Sequence, residues 1–201
     1  MVAVKVKLPI EQYLEVERQG EVRLEYHHGD LYAMAGGTIN HTTLCTNVSA
    51  ILLRETKRRG EGCRTFNSEL KVEIEEAAQY VYPDATVVCG PVKESDKIMG
   101  AICNPTLVVE VVSDSSGDYD RGAKMRYYLS LSSIQEYLVI EQDRPAVTIY
   151  RRQGPGTLGR YDYADGLDSS IVLECIGVTL LMAELYADVD FGDSPVFPPK
   201  S

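Results

Sequence analysis

The 201-residue chain contains no tryptophan. A carbohydrate cleft built on aromatic platforms would therefore have to draw on its 13 tyrosines. It also lacks a basic excess: 20 Lys and Arg stand against 30 Asp and Glu, a formal net charge of −10. That excludes a protein that holds nucleic acid by bulk charge alone, while leaving room for a local basic groove or an acidic site neutralised by cations. No stretch approaches the roughly 18 apolar residues of a membrane span, and MVAVKVKLPI has no long apolar core of a secretory leader. Neither feature is expected, and a cytoplasmic location is. The five cysteines (Cys45, Cys63, Cys89, Cys103, Cys175) include no C-x-x-C pair, which speaks against zinc and for reduced, mostly buried thiols. No internal repeat, helix-turn-helix or zinc finger is visible.

What is present is ordinary for a globular chain, with 44% hydrophobic and 25% charged residues. The length suits one domain, drawn over residues 1–190, with a flexible tail at 191–201. Periodicity predicts a helix over 9–18 and a hairpin over 22–34 that turns at His28-Gly29-Asp30. A long helix follows, capped by Thr38 or Asn40, ended by Gly60, and carrying Leu44, Val48, Ile51 and Leu52 at helical spacing. Strands are expected at 68–74, 79–88 and 106–113, a helix at 118–131, then strands at 136–142 and 146–152. IVLECIGVTL and a last helix, LMAELYADV, complete the series. Helix, three strands, helix, strand describes an α/β or α+β fold with a mixed sheet.

Two carboxylates stand in unusual places. Asp84 interrupts VYPDATVVCG (81–90), where an unpaired buried acid is costly. Glu110 lies inside LVVEVVS, an otherwise apolar strand. On successive strands the two can lie a few ångströms apart, where they repel unless a cation, a proton or an arginine intervenes. A hard divalent cation suits such a pair, since Mg²⁺ takes one or two carboxylates and completes its shell with water and phosphate. Each acid also has a plain structural role open to it: strand entry for Asp84, a buried ion pair for Glu110. On the following helix Asp120, Lys124 and Tyr128 fall on one face, with Tyr127 beside them. Lys124 could serve a phosphate or a water, or simply pair with Asp120.

YPD, LVVEVVS and DRGAK with its tyrosine pair, taken in order, resemble the Uma2 family of the PD-(D/E)XK restriction-endonuclease-like superfamily. EYHHGDLYAMAGG followed by His41, SELKV, and EYLVIEQDRPAVTIYRR fit the same family, so the likeness spans roughly residues 10–190. It implies a restriction-endonuclease-like αβββαβ core with an N-terminal helix and hairpin and C-terminal strands and helix. It also implies an endonuclease acting on DNA with Mg²⁺, for which Mn²⁺ can substitute. Asp84 then corresponds to the metal-binding aspartate and Glu110 to the acid of the E-x-K element. The position two beyond Glu110 is Val112, and the resemblance implies that Lys124 takes the lysine role. Glu25, in EYHHG, and His41 are secondary candidates for the site, each with an ordinary structural alternative. His27 and His28 read as turn residues, and RETKRRG (54–60) as a solvated basic helix end. A homodimer suits an enzyme that cuts two strands. Two rival readings are a nuclease-fold protein that binds without cleaving, and a glycoside hydrolase with Asp84 and Glu110 as its carboxyl pair.

Overall fold

A computed structural model describes residues 2–19, 23–33, 37–60, 62–74, 78–112, 122, 124–154 and 158–192. One sheet is built from β1 (Val2–Lys7), β2 (Leu24–His27), β3 (Asp30–Ala33), β5 (Lys71–Ile74), β6 (Gln79–Val81) and β8 (Ala101–Ile102), in the order β1-β3-β2-β6-β5-β8. The other holds β4 (Cys63–Asn67), β7 (Ala85–Cys89), β9 (Leu107–Val112), β10 (Glu136–Glu141), β11 (Ala146–Arg152) and β12 (Leu158–Asp165), in the order β12-β11-β10-β9-β7-β4. A hairpin of β13 (Ser170–Leu173) and β14 (Val178–Leu181) follows. The helices are α1 (Ile10–Gln19), α2 (Ile39–Arg59), α3 (Met125–Ser130) and α4 (Met182–Leu185). In the second sheet β9 and β10 run parallel and the remaining pairs antiparallel, so the sheet is mixed. The order α2-β4-β7-β9-α3-β10 is the restriction-endonuclease-like αβββαβ core.

Helix α2 forms as its sequence dictates. The Thr38 hydroxyl oxygen accepts from the His41 N–H, and Gly60, at φ 67°, donates its N–H to the Thr56 carbonyl. Leu44, Val48, Ile51 and Leu52 pack against Val87, Val109, Val111 and Ile140. On the other face of β9, Val108 and Val112 pack with Tyr128 and with Val72 and Val81 from the first sheet. Both faces of β9 are therefore covered, which explains its near-continuous apolar run. Glu110 sits in the middle of that buried strand, on the face shared with Val108 and Val112.

Several expectations need correction. Residues 79–88 are two strands in two different sheets. Pro83 has no N–H to give a ladder, and the Tyr82 N–H is taken by the Glu25 carboxylate, so the chain crosses from sheet to sheet at Tyr82-Pro83-Asp84. The first strand of the core is Cys63–Asn67, whereas SELKVEI supplies β5 of the other sheet. β1 and β12 were not anticipated; β12 is an edge strand with exposed Tyr161 and Tyr163, so it lacks a strong apolar signal. His27 is a buried β2 residue, while His28 does occupy the turn. Cys63 and Cys89 are register partners on β4 and β7 and form a disulfide, Cα to Cα 4.0 Å. A sequence separation of 26 gives no hint of this; only the strand register does. Cys45, Cys103 and Cys175 are half-buried thiols outside this disulfide. The first part of the helix expected at 118–131, with Asp120, lies outside the described residues, as does most of the tail. Among the described residues, no helix is long and apolar enough to cross a membrane.

Candidate functional site

The site lies where the two sheets exchange chain. Ala85 opposes Val109 in the antiparallel β7–β9 ladder, so the same register continued one step sets Asp84 across from Glu110. Backbone orients the first carboxylate: the Val111 N–H donates to Asp84 Oδ2 at 2.7 Å. Asp84 Oδ1 faces the first turn of α2, with His41 Nε2 at 3.4 Å. Helix α3 orients the second carboxylate. Glu110 Oε1 accepts from the Tyr128 hydroxyl at 2.7 Å and lies 2.9 Å from Lys124 Nζ.

Lys124 is 2% exposed, immediately before α3, with helical backbone angles. Its ammonium also lies 3.6 Å from Glu25 Oε1. Glu25 reaches the site from β2 and is fully buried. Its Oε1 accepts the Tyr82 N–H at 2.9 Å, and its Oε2 is 3.0 Å from His27 Nε2. The carboxylate that binds Lys124 thus also fixes the backbone of the Tyr82-Pro83-Asp84 crossing. Glu110, Lys124 and Glu25 form one ion-paired group, and Asp84 with His41 forms a second beside it, tied to the same strands through the Val111 and Tyr82 N–H groups.

Three members were missed or misread from sequence. Tyr128 shares the Lys124 face, but its hydroxyl bond to Glu110 depends on how α3 packs over β9. His27 bridges Glu25 and Gln79, with Nδ1 3.2 Å from Gln79 Oε1. Cys45 lies one turn beyond His41, its Sγ 3.5 Å from His41 Nδ1. His41, Cys45 and Asp84 present ligand atoms within 4.8 Å of one another. The i, i+4 spacing of His41 and Cys45 on a well-capped helix was the available signal. The basic end of α2 is largely structural: Arg58 pairs with Glu55 at 2.7 Å, and Arg59 donates to the Gly177 carbonyl at 2.8 Å.

The electrostatics follow from burial and neighbours. Burial pushes the Glu25 carboxyl up, but the Lys124 charge, His27 and the Tyr82 N–H outweigh it and hold it at about 2. The Asp84 contact raises His41 against the opposing effect of its burial. Burial, with the Asp84 charge second, pushes the Cys45 thiol up. Burial and then Glu110 push the Tyr128 phenol up.

A depressed carboxyl contributes stability above its ordinary value of 4.5, and that contribution is lost as pH falls toward about 2. Glu25→Gln is accordingly expected to be less stable than wild type at pH 7 by on the order of 3 kcal/mol. The gap should close as the solution is acidified through that window. Urea denaturation of both proteins at pH 7 and at pH 3 checks this, and a pH-independent gap would show that the charge of Glu25 contributes nothing.

The Uma2 family model, described as "Putative restriction endonuclease", matches residues 10–183. Two uncharacterized proteins of Synechocystis sp. are similar over much of their length. One, slr1290, is 32% identical over 187 residues, covering 92% of this chain and 94% of the relative. The other, sll1609, is 32% identical over 154 residues, covering 77% and 86%. Among solved structures, the crystal structure of "a putative nuclease belonging to DUF820" from Anabaena variabilis aligns with a TM-score of 0.71. That alignment covers 90% of this chain and 98% of the other at 16% identity, a likeness of fold.

Proposed function

This chain belongs to the Uma2 family, and from that membership together with the cluster around Asp84 we propose that it is a Mg²⁺-dependent endonuclease hydrolysing DNA phosphodiester bonds. One observation carries the reading. Lys124 Nζ lies 2.9 Å from Glu110 Oε1, although the usual E-x-K lysine position holds Val112. The lysine reaches the acid from a helix instead of from the same strand.

The donor set fits a hard cation. Asp84 and Glu110 offer carboxylate oxygens from facing strand positions, each held by a second bond, one to the Val111 N–H and one to the Tyr128 hydroxyl. The Lys124 ammonium meets two carboxylates (Glu25 and Glu110), Asp84 takes the strand position across from Glu110, and the excess negative charge is what a divalent cation cancels. Asp84 and Glu110 would hold the ion, which when bound supplies charge to a phosphate oxygen and lowers the pKa of a water. Lys124 is held by two acids in a water-poor environment, where its positive charge stabilises charge developing on the phosphate and its N–H groups can orient the attacking water. Tyr128 keeps Glu110 turned toward Lys124. A two-fold dimer would present such a cluster to each strand of a duplex.

Removal of metal is the direct test. Supercoiled plasmid should be nicked in Mg²⁺ or Mn²⁺, and excess EDTA should abolish the nicking. Nicking undiminished by EDTA would refute the metal-dependent mechanism. Calorimetric metal binding without nicking would instead favour a nuclease fold that binds without cleaving. Hydrolysis of oligosaccharides that survives EDTA would favour the glycosidase reading.

A further inference from the structure

We propose that His41, Cys45 and Asp84 form a second cation position that takes Zn²⁺ and, by engaging Asp84, switches the neighbouring nuclease centre off. The binding half rests on the residues themselves; the switching half rests on the nuclease reading above.

The first argument is geometric. Four-coordinate zinc with ordinary bond lengths sets a nitrogen and an oxygen ligand about 3.3 Å apart, and a nitrogen and a sulfur about 3.6 Å apart. His41 Nε2 lies 3.4 Å from Asp84 Oδ1 and 3.9 Å from Cys45 Sγ, and all three ligand atoms fall within 4.8 Å of one another. A shift of a few tenths of an ångström in the flexible thiol arm would bring the nitrogen–sulfur pair to that spacing, and the same arm can move the sulfur toward Asp84. Three protein ligands leave the fourth position to water or to a substrate oxygen.

The second argument is that the backbone prepares this corner. The i, i+4 spacing directs His41 and Cys45 to one side of α2, and the Thr38 cap fixes the turn that carries His41. Gly37 makes room for the ring: a Cβ there would fall 2.5 Å from His41 Nδ1. Any other residue would force the imidazole to move.

Chemistry selects the metal. Mg²⁺ prefers oxygen ligands and has little use for a thiol or an imidazole. A nitrogen, sulfur and oxygen set suits zinc, and the Cys45 proton passes to solvent on ligation. Asp84 is the shared residue, with Oδ2 fixed by the Val111 N–H and Oδ1 turned toward His41. Zinc at Oδ1 therefore competes with the hard cation for the same carboxylate. Neither Cys45 nor His41 has a part in the hydrolysis derived above, and this position accounts for both.

Co²⁺ titration of the full-length protein reads the site directly, because a thiolate ligand gives a charge-transfer band and Zn²⁺ then bleaches it. Wild type should develop the band at one equivalent, and Cys175→Ser should leave it unchanged. Losing one direct ligand should exceed the 10–100-fold cost of altering an outer-shell partner. Cys45→Ser and His41→Gln should each weaken Zn²⁺ binding, measured by chelator competition, by more than about 100-fold. In plasmid nicking at saturating Mg²⁺, zinc should inhibit wild type. Cys45→Ser should need at least about tenfold more zinc, relative to its own zinc-free rate. No thiolate band in wild type, or a band that persists in Cys45→Ser, overturns the zinc position. A Cys45-dependent band with nicking insensitive to zinc overturns the switch. A Cys45-dependent band in a protein that nicks with no metal at all supports the zinc position and sinks the nuclease reading instead.

Discussion

Asp84→Asn should lower Mg²⁺-dependent plasmid nicking by on the order of 10³-fold, the upper range for loss of one preorganised electrostatic group. Asparagine is the informative replacement because it separates charge from architecture. In wild type the Val111 N–H, inside the buried strand β9, donates to Asp84 Oδ2. Alanine would strand that donor at a cost of about 1–3 kcal/mol. Any loss of nicking could then be blamed on a disturbed strand crossing. The asparagine carbonyl keeps an acceptor in place while removing the charge that faces His41 and repels Glu110. Its thermal stability should remain close to that of wild type, and the calorimetric heat of Mg²⁺ or Mn²⁺ binding should fall to background. If Asp84→Asn binds metal and nicks at the wild-type rate, Asp84 serves only the crossing between sheets. Loss of both at unchanged stability would make the carboxylate charge itself the functional element.

The crossing also shows how far the sequence could be read. Helix α2 was legible because its determinants are local: a threonine cap, a glycine at the far end, and an apolar stripe at i, i+4, i+7 and i+8. Strand β9 was legible because burial on both faces removes nearly every polar residue from it, which made Glu110 conspicuous. The split of 79–88 into two strands was not legible. A proline inside an apolar run marks an interruption, but whether the chain turns, bulges or changes sheet depends on what accepts the N–H just before it. Here the acceptor is Glu25, 57 residues away. Cys45 is not legible from the spacing of cysteines, because its partners are an imidazole one turn back and a carboxylate on another element. The disulfide between Cys63 and Cys89 likewise follows from a strand register that no local pattern encodes. For Lys124 the local rule offered Asp120 as an i, i+4 partner. Burial against Glu110 and Glu25 arises only once α3 closes over the junction of the two sheets.

Lys124→Met carries the second large effect, and it should appear in both stability and activity. The methionine side chain is close to lysine in length and can fill the same space, so the substitution chiefly removes charge. Glu110 and Glu25, both nearly fully buried, then face each other without the ammonium that lies 2.9 Å from one and 3.6 Å from the other. Breaking a buried ion cluster by removing one partner costs about 3–5 kcal/mol. A loss of that size should appear in the urea midpoint at neutral pH. It should shrink in acid, where either carboxyl can take up a proton. Nicking should fall by on the order of 10²–10³-fold because the positive charge that would meet the phosphate is gone. Lys124→Arg divides the two roles. Its charge should recover much of the stability. Its planar, wider head cannot occupy the point between the two carboxylates in the same way, so nicking should remain at least about tenfold below wild type. The decisive comparison is the effect of Mg²⁺ on unfolding. A cation bound at Asp84 and Glu110 offsets the missing ammonium, so saturating Mg²⁺ should stabilise Lys124→Met by more than it stabilises wild type. Equal stabilisation of the two proteins would mean that the metal and Lys124 do not share Glu110. The lysine would then be a structural counter-ion, and its proposed role at the phosphate would have to be abandoned.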